Sequence, residues 1–521
     1  MSKTATRRAP SRSAAELAAA VERFLKASSQ PALLEPGEAI IPLRPGNYSV
    51  EAGDSRITLQ AWDEQRNIVR RLIDVREEKR GRLELVVERF ARKQGALFLI
   101  DLGSPSNHGW ERRGTRLVFR ERFRQFLSGE FPEWKIAELS TEADLEHSLS
   151  PAYPRALLRR GATGLAAIGA SPDSTHPGAA LSFGLVWLDY LRRRERSATV
   201  EGLVLMLPGA EARNTACRVD LLNHQAARFE VFAFSEQGQT ARLDLQDAGN
   251  LDTKLERYRG PSDLHRDAVS RLLEIEGVEP VETADGETSL RVRGLEFART
   301  AGTELRFGLG TRVARDPDNL SECQQLARDL ARLRNPKARG GELYQSHPEA
   351  WLESQVRSGI EIIDPTLVSA PIYGQVPAFA GGDRGIIDLL AVDRSGRLAV
   401  IELKACADLH LPLQALDYWM RVRWHLARDE FNSKGYFPGM ALRKETPRLL
   451  LVAPALEFHP ATEVILRYFS TAIDVERIGL ALHWRRKLEI MLRLRGAERP
   501  DLTGFPRVSV PVDMKSPTHP A

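Results

Sequence analysis

The residues best suited to chemistry lie in one stretch, Gly385-Ile-Ile-Asp-Leu-Leu-Ala-Val-Asp-Arg-Ser-Gly-Arg-Leu-Ala-Val-Ile-Glu-Leu-Lys404. Two apolar runs flank the turn Asp393-Arg-Ser-Gly396, which predicts a β-hairpin. Both strands are apolar on both faces, as in the middle of a sheet. Asp388, Glu402 and Lys404 interrupt this background. A connecting loop of three or five residues sets Asp388 opposite Glu402 on one face, with Lys404 two residues further on. A four-residue loop would put the two acids on opposite faces. Two close, buried carboxylates repel and lose hydration, at a cost on the order of several kcal/mol unless compensated. A hard cation such as Mg²⁺ is the natural compensation. It can acidify water and steady charge on a phosphate. Lys404 can orient or deprotonate the water, or neutralise developing charge. The alternative is a structural salt bridge to Lys404. The acid-x-Lys string also occurs at Glu77-Glu-Lys79 and Asp252-Thr-Lys254, but in polar, turn-like settings.

The flanking elements must position these groups. A helix over Pro412–Leu426 carries an apolar stripe, Leu413, Leu416, Met420 and Trp424. Gln414, Tyr418, Arg421 and His425 form a second, polar-tipped stripe. That stripe either faces a substrate or is a solvated face. Upstream, Ser346-His-Pro-Glu349 has the form of a capping box with proline in the first turn. That role occupies Glu349 and leaves Glu353, one turn on, free. Gln375 and the pair Asp383-Arg384 are further candidates for substrate contact.

At these residues the chain resembles the PD-(D/E)XK nuclease superfamily, which carries an acid on one hairpin strand and acid-x-Lys on the next. Asp388 and Glu402-Leu-Lys404 fit, with Ile387 where proline is common. Gln414-Ala-Leu-Asp-Tyr418 is similar to the Gln-x-x-x-Tyr element of the RecB-like branch. The resemblance spans about residues 340–480. It implies a restriction-endonuclease-like fold and metal-dependent hydrolysis of nucleic acid, with DNA favoured over RNA and Mg²⁺ or Mn²⁺ as cofactor. It implies Asp388, Glu402 and Lys404 as catalytic residues, with Asp388, Glu402 and Glu353 as metal ligands. Gln414, Tyr418, Arg421, Arg384 and Gln375 are the implied substrate contacts. Repair and defence against foreign DNA both suit such an activity. The alternative is a non-catalytic nucleic-acid-binding or scaffold protein with an inactive nuclease fold. Neither Gly-x-Gly-x-x-Gly nor Gly-x-x-x-x-Gly-Lys-Ser/Thr occurs, so any strand separation falls to a protein partner.

At 521 residues the chain needs more than one core. The order of elements repeats. Phe90-Ala-Arg-Lys-Gln-Gly95 is matched by Phe297-Ala-Arg-Thr-Ala-Gly302, and Leu102-Gly103 by Leu309-Gly310. Leu188-Asp-Tyr190 is matched by Leu416-Asp-Tyr418, and Leu203–Pro208 by Leu449–Pro454. The expected fold class is α/β with a mixed central sheet flanked by helices, duplicated, each copy preceded by a small β-rich module. The expected units are a basic tail with a short helix (1–37), a β-rich module (38–110) and a degenerate α/β domain (111–250). A second β-rich module with a linker helix (262–340), the nuclease domain (341–495) and a tail (496–521) follow. In the first copy, Ala166–Ala170 falls where Val400–Lys404 stands in the second, without acid or lysine, and Val186 falls where Gln414 stands.

Net charge is only +4, but arginines cluster at 112–124, 192–196 and 485–486. Such clusters either meet phosphates or are solvated helix faces. Three separate cysteines, Cys217, Cys323 and Cys406, exclude a disulfide framework and fit a reducing cytoplasm. No stretch is apolar enough for a membrane span. The oligomeric state stays open.

Overall fold

The computed structural model describes residues 13–499 except 29–30, 35–40, 54–56, 63–66, 80–81, 90–92, 102–108, 145, 173, 236–238, 261–264, 302–303, 310–312, 316–319, 338–340 and 381–382. The architecture is mixed α/β, with four sheets flanked by helices. Among the described residues no helix is long and apolar enough to cross a membrane.

The first sheet has seven antiparallel strands between Pro31 and Asp101. Pro31–Leu34, which the sequence groups with the leading helix, pairs with Lys93–Asp101 in this sheet. The helix Ala14–Ala27 is held at its start by a Ser13–Glu16 capping box. It lays Leu17, Val21 and Phe24 on the sheet, where Ile57, Leu59 and Ala61 alternate inward. A smaller antiparallel sheet of five strands runs from Val278 to Arg315. It packs on the helices Arg266–Leu273 and Leu320–Leu333 through Leu290, Phe297 and Ala327.

The other two sheets have six strands each. One runs Lys135–Ser140, Arg155–Arg160, Thr163–Gly169, Thr199–Pro208, Arg228–Phe234, Thr240–Arg242. The other runs Tyr373–Ala380, Asp383–Val392, Leu398–Leu403, Arg448–Pro454, Val475–Leu480, Ile490–Arg495. In both, the successive pairings are antiparallel, antiparallel, parallel, parallel, antiparallel. Parallel neighbours need a crossover. The helices Ala180–Arg194 and Gly209–Asp220 supply it in the first sheet, and Leu411–Ala427 and Ala461–Leu466 in the second. These four helices lie between the sheets and share one continuous core, from Leu181 and Trp187 to Leu416, Trp419 and Leu466. The outer faces are covered by Gly109–Glu130 and by Pro348–Ser358.

The helices Leu320–Leu333 and Pro348–Ser358 and the strand Leu398–Leu403 have the limits their patterning predicts. Four elements carried no usable signal: Arg155–Arg160, Gly209–Asp220, Ala461–Leu466 and Ile490–Arg495. The first is half arginine, and the last is an edge strand half-buried on one face and exposed on the other. Of the extended stretch expected from Thr366 to Phe379, Leu367 bridges Asp393 antiparallel and the strand proper starts at Tyr373; Thr366 lies in a turn, where its amide and hydroxyl both donate to Asp364 Oδ1, at 2.8 and 2.6 Å. Phe90–Arg92, Leu102–Gly103 and Gly310 of the matched strings lie outside the described residues.

Candidate functional site

All six residues of Leu398–Leu403 are buried. This strand runs between the antiparallel Asp383–Val392 and the parallel Arg448–Pro454. The hairpin pairs Val392 with Leu398 and Leu389 with Ile401. Five residues, 393–397, therefore connect the two strands, an odd number. Gly396 closes the turn at φ +89°, where a Cβ would meet the Ala441 carbonyl. The register sets Asp388 opposite Glu402. Leu390, Val392, Leu398 and Val400, which alternate with them, pack toward the helix Leu411–Ala427. Both carboxylates therefore share the face that this helix covers.

Asp388 Oδ2 accepts the Leu403 amide at 2.8 Å, so a side chain takes over where the ladder ends. Burial pushes the Asp388 carboxyl up to about 6, against the pull of Lys404 and the Leu403 amide. Glu402 is 2% exposed, and its carboxyl is held well above the usual range by burial and then by Asp388. Lys404 Nζ stands 3.7 Å from Glu402 Oε1, an ion pair rather than a short hydrogen bond. Burial acts to lower the Lys404 pKa, but Glu402, Glu349, Asp408 and Asp388 outweigh it and raise it. At this site two buried acceptors, Glu402 Oε2 and Gln414 Oε1, have no hydrogen-bond partner among the described residues; Asn67 Oδ1 and Glu230 Oε1 are buried acceptors without one elsewhere. Burial, then Glu402 and Asp388, raise the Tyr418 pKa, so its ring stands close to both acids. Gln414 lies one turn before it on the same face.

Not every expected residue joins this group. Glu353 is 7% exposed and is spent on Arg357, with Arg291 at 3.5 Å. It packs by Gly374, on the sheet face that carries Leu389, opposite the carboxylates. The expected capping box is absent as well. His347, at φ +45°, is the N-cap and makes no side-chain cap bond, and Ser346 Oγ donates back to Leu343 O at 3.1 Å. The fully buried Arg334 fixes this helix start instead, donating to the carbonyls of Leu343, Ser346 and His347 at 2.7 to 3.0 Å. Glu349 is thereby released. It is exposed and has no hydrogen bond or ion pair among the described residues; Asp388 feels the charge of Glu353 and then of Glu349, while Glu402 and Lys404 feel that of Glu349. Spacing held the clue: Glu353 and Arg357 stand at i,i+4, the signature of a helical ion pair, and Glu349 has no such partner.

Arg421 is also placed elsewhere. Its side chain is 1% exposed, paired with Asp417, and donates to Asp252 O at 2.8 Å and Asn214 Oδ1 at 3.1 Å. His425 meets Thr253 Oγ1 at 3.0 Å. Both share the stripe of Gln414 and Tyr418, but Arg421 lies about 10 Å further along the axis. There the first α/β unit covers the helix. Trp424, expected in the apolar stripe, is half-buried beneath Arg428. The side chains of Gln375, Arg384, Arg112, Arg113 and Arg116 lie outside the described residues.

The first six-stranded sheet has an equivalent position. Leu203 pairs with Ala166 as Leu449 pairs with Val400. On that register Ile168 stands where Glu402 does and Ala170 where Lys404 does. Arg155, paired with Ile168, stands where Asp388 does. Arg155 is 5% exposed; it donates to Glu142 O at 2.7 Å and lies over the Trp187 ring. A cation fills the place of an acid, so this position cannot hold a second one.

Two carboxylates and two unpartnered oxygens suit a hard cation that keeps most of its water shell. Among the described residues no group of three or more His, Cys, Asp or Glu side chains is arranged around an ion. The site therefore fits a cation with two protein carboxylates, not a closed cage.

No protein-family model matches the chain, and no curated protein does. The apo-form structure of EndoMS aligns with 38% of this chain and 87% of that one, at 14% identity. The TM-score is 0.13, too low to equate the two folds.

Proposed function

We propose that residues 341–495 hydrolyse phosphodiester bonds of nucleic acid, DNA in preference to RNA, with a divalent cation held by Asp388 and Glu402. One observation carries this reading: Glu402 Oε2 is buried without a partner, opposite Asp388 and beside Lys404. A buried acceptor left unmade costs about 1–3 kcal/mol, more when charged. Such a cost is retained where function needs it. The mixed six-stranded sheet with helices on both faces agrees with a restriction-endonuclease-like fold.

Bound Mg²⁺ or Mn²⁺ supplies Lewis acidity and makes water a better nucleophile at neutral pH. The chain's own residues do the rest. Lys404, 3.7 Å from Glu402, orients or deprotonates the water or neutralises charge that develops on the phosphate. Gln414 and Tyr418 orient water or the strand from the helix face above. Glu349, rather than Glu353, is the further acid on the cation's water shell. The five-residue turn and the buried strands keep this group fixed without a moving loop. The matching strand order of the two large sheets and their shared register favour a duplication, with the first copy having lost its acids.

The test is cleavage of linear, nicked and single-stranded substrates with Mg²⁺, with Mn²⁺ and with EDTA. Cutting should need the cation, and Glu402→Ala should lower it at least 100-fold with the fold kept by circular dichroism. Cutting that survives Glu402→Ala would sink the assignment. No cutting of any substrate would leave a nucleic-acid-binding scaffold.

A further inference from the structure

The interior helices pack reciprocally. Ala180–Arg194 of the first sheet contacts Ala461–Leu466 of the second, and Gly209–Asp220 contacts Leu411–Ala427. In each sheet the first-named type follows the third strand and the other type follows the fourth. First-crossover helix therefore meets second-crossover helix twice, once in each direction. Between these contacts the chain just past each second crossover pairs with its counterpart. Leu222 bridges Phe469, the Asn223 amide donates to Tyr468 O at 2.7 Å, and the Ser470 amide donates to Leu221 O at 3.0 Å. This is the pattern of a two-fold, isologous interface, built inside one polypeptide.

We infer that the chain is a pseudo-dimer that cuts one strand of a duplex; this rests on the nuclease reading above. The two strands of a duplex run antiparallel, so a two-fold protein offers one equivalent surface to each. Here one surface carries Asp388, Glu402 and Lys404. The other has the buried Arg155, Ile168 and Ala170 at the matching register positions, and so no acids to cut with. The two-fold face is already filled within the chain, so a second copy cannot use it to bring a second live site. Each binding event then hydrolyses one bond: a water oxygen joins phosphorus, one phosphorus–oxygen bond breaks, and the ends leave as a phosphate and a hydroxyl.

Supercoiled plasmid with Mg²⁺ or Mn²⁺ tests this in the full-length protein. Open circles should accumulate to most of the DNA before linear molecules appear, at a rate first order in protein, and Glu402→Ala should abolish both. Photocrosslinking of Glu402→Ala to a duplex should attach the two strands to different halves, one to residues 341–495 and the other to residues 109–242. Linear DNA formed as fast as supercoiled DNA disappears, a second-order dependence on protein, or both strands crosslinked to residues 341–495 alone would overturn the pseudo-dimer and leave the nuclease. So would cutting of single strands but never of duplex. Absence of any cutting, or cutting that survives Glu402→Ala, would instead remove the nuclease reading and this inference with it.

Discussion

Two glutamates one turn apart on the helix Pro348–Ser358 have opposite fates. Glu353 is closed in a buried network with Arg357 and Arg291, while Glu349 is open to solvent and adds its charge to that around Lys404. Their substitutions should separate cleanly. Glu353→Gln leaves Arg291 and Arg357 without their buried acid and should cost about 3 kcal/mol in urea unfolding, with the Mg²⁺ requirement nearly unchanged. Glu349→Gln should leave stability within about 0.5 kcal/mol and raise the Mg²⁺ concentration for half-maximal activity severalfold. The reverse pattern would return Glu353 to the ligand role that the family resemblance implied.

The helix Leu411–Ala427 does two jobs along one stripe. Its first turns present Gln414 and Tyr418 to the acids, and its last turns tie the second α/β unit to the first through Arg421 and His425. The Arg421 guanidinium is almost wholly buried, with Asp417, Asn214 and Asp252 around it. Arg421→Ala leaves Asp417 uncompensated and should destabilise the chain by about 3–5 kcal/mol. It should not alter cleavage per folded molecule, because Arg421 touches none of the reacting groups. A large fall in activity of fully folded Arg421→Ala protein would show that this end of the helix does meet substrate. The amphipathic stripe was legible from the spacing. Which neighbour its far end meets was not, because that neighbour stands about two hundred residues earlier in the chain.

At the scale of the molecule, the four interior helices form one core, so neither α/β unit owns its inner face. Removing residues 1–340 would open this shared core and bare apolar side chains around Phe469, which bridges Leu222 of the first unit. The fragment 341–521 should therefore aggregate or elute as oligomers in size-exclusion chromatography. In the intact chain the two α/β units should melt in one calorimetric transition. A monomeric, well-folded fragment would mean that the shared core contributes little.

The sequence by itself determined the local chemistry. Strong apolar runs broken by Asp388, Glu402 and Lys404 made the hairpin legible, since period-2 patterning and a glycine turn act over a few residues. The same holds for Leu320–Leu333 and Pro348–Ser358, whose periodicity is complete within the element. That Ala166–Ala170 carries neither acid nor lysine was also legible. Tertiary structure alone decided what depends on distant chain. It brought Arg155 to the register position that an acid holds in the second sheet, tied Glu353 to Arg291 across a module boundary, and let Arg334 replace the expected cap, which leaves Glu349 exposed. It also folded the two sheets onto each other about a pseudo-two-fold. The physical reason is the same throughout: patterning reports which face of an element is buried, but a charge is spent or left free according to what packs against it.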